Sequence, residues 1–171
     1  MSRVFPAAAL LVLAACTPAL NWREAPVGAT GLHAAFPCKP EKAERKSEFT
    51  PGRQLVVHAL GCEAQGATFA VLYADFGQAG ELAQALGQWK QASLAAARAR
   101  SEGEQPFQPA GALGLPQSVL VRSTTQRADG GMLHSHAAYF ARGTVAFQAV
   151  VHAPSMKPEF TDPFFTGLRF P

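Results

Sequence analysis

From residue 32 onward the chain is dominated by alternation with period two, broken once by a long stretch of helical spacing. Residues 32–36 read as a short strand that Pro37 stops, and the polar stretch 41–49 alternates as an exposed strand. Pro51-Gly52 makes a turn. Residues 53–63 carry Leu55, Val57 and Ala59 on one side and Val56, His58 and Leu60 on the other, the pattern of a strand covered on both faces. After a turn at 64–66, residues 68–76 set Phe69, Val71, Tyr73 and Asp75 against Ala70, Leu72 and Ala74. The period then changes: across 78–100 there is no proline, and Leu82, Leu86, Trp89, Ser93 and Ala96 recur on one helical stripe, with Arg98 and Arg100 where a C-terminal dipole favours cations. Residues 101–116, rich in glycine and proline around Phe107, predict a long loop. Strands over 116–125, 132–142 and 144–152 follow, joined by Asp129-Gly130-Gly131 and by Gly143, to give a three-strand meander. Residues 157–165 predict a short helix in spite of Pro163, after which 167–170 return an apolar tail to the sheet.

Hairpins, a long helix, a meander and a terminal helix, in that order, predict an α+β fold. It comprises an antiparallel sheet of about six or seven strands with both helices packed on it. Residues 32–171 would form one domain, and no repeat or low-complexity segment interrupts it.

The N-terminus changes the picture most. Arg3, an apolar run over 4–13 and the sequence Leu13-Ala14-Ala15-Cys16 read as a bacterial lipoprotein signal. Residues 1–15 would be removed and Cys16 would become an acylated first residue, leading through a tether over 16–31 in which Trp22 packs onto the domain edge. An apolar run of about ten residues is too short to span hydrocarbon. At roughly 0.8 kcal/mol per buried methylene, several acyl chains on Cys16 would hold the protein to lipid essentially permanently. Thr17 stands where an inner-membrane retention signal would have aspartate, so by resemblance to sorted lipoproteins the expected address is the periplasmic leaflet of the outer membrane.

With Cys16 committed to lipid, two of the three cysteines remain. An exported chain meets an oxidising compartment, so Cys38 and Cys62 are expected to form a disulfide. A metal pair or a reactive thiol lacks the close CxxC spacing and an adjacent histidine. Removing Arg3 leaves a formal charge of about +2 from the +3 of the whole chain. Lys39, Lys42, Arg45 and Lys46 are interrupted by Glu41 and Glu44, which suits a solvated strand edge or a partner surface better than a nucleic-acid groove.

Phe36-Pro37-Cys38-Lys39-Pro40, Tyr73-Ala74-Asp75 and Phe164-Phe165-Thr166-Gly167-Leu168-Arg169 resemble motifs of small bacterial envelope proteins whose layout is similar to the PsbP-like fold. The pattern often has glycine at Cys38 and serine at Gly167; the first departure is consistent with the disulfide. The resemblance covers most of 32–170 and implies a non-catalytic accessory or assembly role with an envelope protein partner.

Catalytic and cofactor motifs are sparse. There is no GxSxG or Walker A loop, Gly111-Ala112-Leu113-Gly114 falls short of a dinucleotide fingerprint, and the three aspartates offer little for paired-carboxylate chemistry. No cofactor and no enzymatic activity are expected. His134 and His136, two apart on a strand, would share a face and could hold zinc or copper with His58 or His152 from other strands, although two histidines facing polar neighbours are the commoner case. Trp89 and Phe107 would belong to the core, or line a cleft between helix and loop.

Overall fold

The computed structural model describes residues 20–50 and 52–171. Seven strands form one antiparallel sheet: β3 (Glu41–Thr50), β4 (Arg53–Ala64), β5 (Ala67–Asp75), β6 (Arg100–Pro106), β7 (Val119–Gln126), β8 (Met132–Arg142) and β9 (Val145–Ala153), in the order β3-β4-β5-β9-β8-β7-β6. A two-stranded ribbon, β1 (Arg23–Pro26) with β2 (His33–Phe36), lies apart from it. A 3-10 turn (Ala79–Glu81) leads into α1 (Leu82–Ala96), and α2 (Pro158–Thr166) closes the chain. The fold is the α+β arrangement expected, with seven strands in its main sheet.

The alternation of each strand sorts its side chains between two cores. On one face Phe69 and Val71 of β5, Ala138 and Phe140 of β8, and Phe147, Ala149 and Val151 of β9 meet Phe36 of the ribbon and Phe160 and Phe164 of α2. Phe140 and Phe147 stack across the β8–β9 pair at 5.1 Å, and Phe36, Phe69 and Phe164 meet edge to face. On the other face Leu82, Ala85, Leu86 and Trp89 of α1 settle on Ala74, Val121, Tyr139 and Val150. The sheet is thus the middle of three layers, so β5, β8 and β9 read as apolar on both sides.

The elements depart from the sequence reading in three places. Within the stretch expected to be a tether, Arg23–Pro26 pairs with His33–Phe36, and Trp22 meets Phe69 edge to face at 5.7 Å. Strand pairing therefore reaches ahead of residue 32. The long helix ends at Ala96, and Arg98 takes a left-handed φ of 49°, which turns the chain so that Arg100 already belongs to β6. Residues 101–116 are not one long loop: Arg100–Pro106 is a strand, exposed along nearly its whole length, and so lacks the apolar alternation that marks the others. Trp89 and Phe107 belong to the cores, as expected, on opposite faces of the sheet: Trp89 faces it from α1 and Phe107 packs on Phe140 and Phe165.

Candidate functional site

Cys16, the expected lipidation site, lies outside the described residues. Among those residues no helix is long and apolar enough to cross a membrane. Leu20 packs against the core and the Asn21 amide donates to the Pro37 carbonyl at 2.9 Å. Cys38 and Cys62 are joined as a disulfide, their Cα atoms 6.0 Å apart, tying the segment before β3 to the far end of β4.

The four histidines proposed for a metal site are not brought together. His134 and His136 do share a face of β8, where His136 stands opposite Arg122 and His134 opposite Thr124. Burial, then the neighbouring Arg122 guanidinium, lowers the His136 pKa from its ordinary value; that guanidinium would also oppose a cation. His58 lies on β4, with β5 and β9 between it and β8. His152 is the register partner of Ser135, which puts it on the opposite face of the sheet from His134 and His136. Among the described residues no group of three or more His, Cys, Asp or Glu could hold a metal ion.

What the sequence reading missed lies beneath α1. Ser135 Oγ and His152 Nδ1 are 2.6 Å apart, and Gln148 donates from Nε2 to the Tyr139 hydroxyl at 3.0 Å and to Ser93 Oγ at 3.3 Å. These groups surround a cavity of about 40 Å³. Burial holds the His152 imidazole below its ordinary pKa, favouring the neutral ring, and raises that of the Tyr139 phenol. The pair has the hydrogen bond of a serine nucleophile and its base, but no carboxylate lines the cavity to orient the imidazole, and helix α1 covers it. The arrangement satisfies buried polar groups where the helix end meets the sheet. A signal for it exists in the sequence: folding residues 132–153 as a hairpin about Gly143-Thr144 places Ser135 opposite His152.

An open concavity sits at another corner of the sheet. There Gly28 of the β1–β2 turn joins Lys42, Glu44, His58, Leu60 and Tyr73 in lining a cleft of about 320 Å³. Its wall is the His58 imidazole stacked on the Tyr73 ring at 4.9 Å and 19°, with Glu44 Oε2 3.4 Å from His58 Nδ1. Burial and the nearby Glu44 carboxylate raise the Tyr73 pKa, so the hydroxyl remains a donor through the neutral range. An apolar floor with a stacked aromatic wall and one group of each charge at the rim suits the capture of side chains. The class these features define is a three-layer, disulfide-closed α+β domain with an open corner beside an edge strand. No protein-family model matches the chain, and no curated protein matches it.

Proposed function

We propose that the chain is a lipid-anchored lipoprotein of the bacterial envelope whose domain is a non-enzymatic module that binds or supports another envelope component. The observation that carries the reading is the Leu13-Ala14-Ala15-Cys16 signal, which stands a short way ahead of Leu20, a residue packed against the core, so that the domain would be held close to lipid. The disulfide supports an oxidising compartment, since such bonds persist outside the cytosol. Thr17 supports sorting to the periplasmic leaflet of the outer membrane, and the likeness of the short motifs to PsbP-like envelope proteins supports an accessory or assembly role. The uncovered corner at His58 and Tyr73 offers the domain a place to engage a partner.

Cells expressing the full chain and a Cys16→Ser variant, fed an alkyne-tagged fatty acid and fractionated on a density gradient, test the anchor. The wild-type protein should carry the tag and band with outer membrane, and the variant should carry none. Equal labelling of both forms would remove the lipoprotein reading.

A further inference from the structure

An anchor at Cys16 constrains which end of the domain can meet lipid. Consecutive Cα atoms of a trans chain stand about 3.8 Å apart, so covalent geometry alone keeps Leu20 within about 15 Å of Cys16. Leu20 packs against the core, and the ribbon fixes where. Trp22 meets Phe69 edge to face and Gly28 stands over the Tyr73 hydroxyl, so β1 advances along β5 from Phe69 toward Tyr73. Asn21 prolongs the ribbon the other way by donating to the Pro37 carbonyl. Leu20 and Asn21 therefore lie at the end of the sheet that carries the β4–β5 turn at 65–66, the β7–β8 turn at 127–131 and the passage from α1 into β6.

One corner of this end is cationic. Arg122 stands opposite His136, and Arg100 opposite Thr124, which in turn faces His134. His136 alternates with Ala138 and Phe140, so both arginines lie on the face of the sheet that the ribbon covers farther along. With Arg98 in the turn after α1 and Arg127 in the β7–β8 turn, exposed arginines outnumber the carboxylates of this corner, Glu102 and Asp129. Asp129 is held by Arg127 at 3.5 Å, and Glu102 accepts from the Thr124 hydroxyl at 3.2 Å. Among the described residues Arg98, Arg100 and Arg122 have no carboxylate in ion-pair range. The β4–β5 side of the same end has no such excess, since Lys39 there stands with Glu41 and Glu63. Met132, 44% exposed beside the β7–β8 turn, adds an apolar side chain to the cationic corner.

We propose that this corner rests on anionic phospholipid headgroups, with Arg98, Arg100 and Arg122 toward lipid phosphates and the β3–β4 turn directed away from the membrane. The inference rests on the lipoprotein reading and adds to it an orientation and a lipid chemistry. The distances agree: β7 lies three strand spacings, about 14 Å, from β5, no more than the reach from Cys16 to Leu20, so one lipid plane can meet both.

The full chain, purified with its acyl groups, is reconstituted in vesicles of phosphatidylcholine and phosphatidylglycerol in equal parts. A photo-reactive residue replaces Gln126 or, on the same face at the opposite end, Gln54, and intact-mass spectrometry reads both acylation and lipid adducts. Gln126 should give at least about fivefold more adduct than Gln54. Arg98→Gln/Arg100→Gln/Arg122→Gln, with unchanged thermal unfolding, should lower the Gln126 adduct by at least about fivefold, as should vesicles of phosphatidylcholine alone. Lysine at the same three positions should retain it. Equal adducts at the two positions, an excess at Gln54, or a Gln126 adduct indifferent to the glutamine changes would each overturn the orientation while Cys16 acylation stands. A chain whose mass shows no acyl group removes the lipoprotein reading, and this inference with it. In cells, capture of a protein at Gln126 in place of lipid overturns the assigned occupant.

Discussion

A Cβ added to Gly28 would collide with the Tyr73 hydroxyl, and φ there is +59°, a region side-chain-bearing residues seldom adopt. Gly28→Ala should cost about 2 kcal/mol in urea unfolding, the size of one strained backbone position. Adding Tyr73→Phe should restore only the part due to the collision. His152 gives a second test at this scale. Its folded pKa is depressed by burial, so the unfolded chain binds the proton more readily as acidity increases. Stability is then fully present above the ordinary imidazole pKa near 6.5 and declines as pH falls from there toward the folded value. Thermal melts from pH 8 to 5 should show that decline. It should be shallower in His152→Gln, where His136, also depressed, remains. At residue scale the sequence was legible wherever partners follow from a turn: the faces of Phe69, Val71 and Tyr73 follow from alternation alone. The positions of His58 and His152 relative to His134 depend on strand order, which no local pattern contains.

Element boundaries were legible in proportion to burial. The stripe of α1 and the strands β7 to β9 were found because their apolar residues repeat with a period the core enforces. Strand β6 was missed because its sequence, Arg-Ser-Glu-Gly-Glu-Gln-Pro, buries almost nothing and shows only polar alternation. The ribbon strand β1 is similarly exposed, and its pairing with β2 is a tertiary choice. Helix α2 presses on the ribbon so closely that a Cβ on Gly167 would stand 2.6 Å from the Ala35 Cβ and 2.8 Å from the Pro163 carbonyl oxygen. This contact gives the departure from serine at Gly167 a steric reason in this chain. Gly167→Ser should push α2 away from β2 and lower the melting temperature by several degrees, about 1–3 kcal/mol of overpacking. Adding Ala35→Gly in the same chain should recover only the part due to the Ala35 Cβ, since the Pro163 carbonyl oxygen stays in place.

At the scale of the molecule, the disulfide closes a loop across 24 positions of sequence, bridging the approach to β3 with the end of β4. In the chain-entropy picture this is worth about 3 kcal/mol. A Cys38→Ala/Cys62→Ala chain should unfold at correspondingly lower denaturant, and adding reductant to it should change nothing further. The fold class was legible because hairpins, helix and meander fall in an order with few ways to pack. The third layer was not, because the ribbon's burial depends on residues far along the chain.

The junction between β5 and β9 carries a further consequence. Asp75 pairs with Val145 and Thr68 with His152, so the two halves of the sheet meet only after α1, β6, β7 and β8 have all been made. Until β9 arrives, β5 has a bare edge, and the aromatic core around Phe69 lacks Phe140, Phe147 and Phe164. Such late, non-local closure slows folding. Under the proposed export the delay would be an advantage: the polypeptide would stay loose enough to pass a narrow translocation channel, and the sheet would lock once its last strand emerged on the far side.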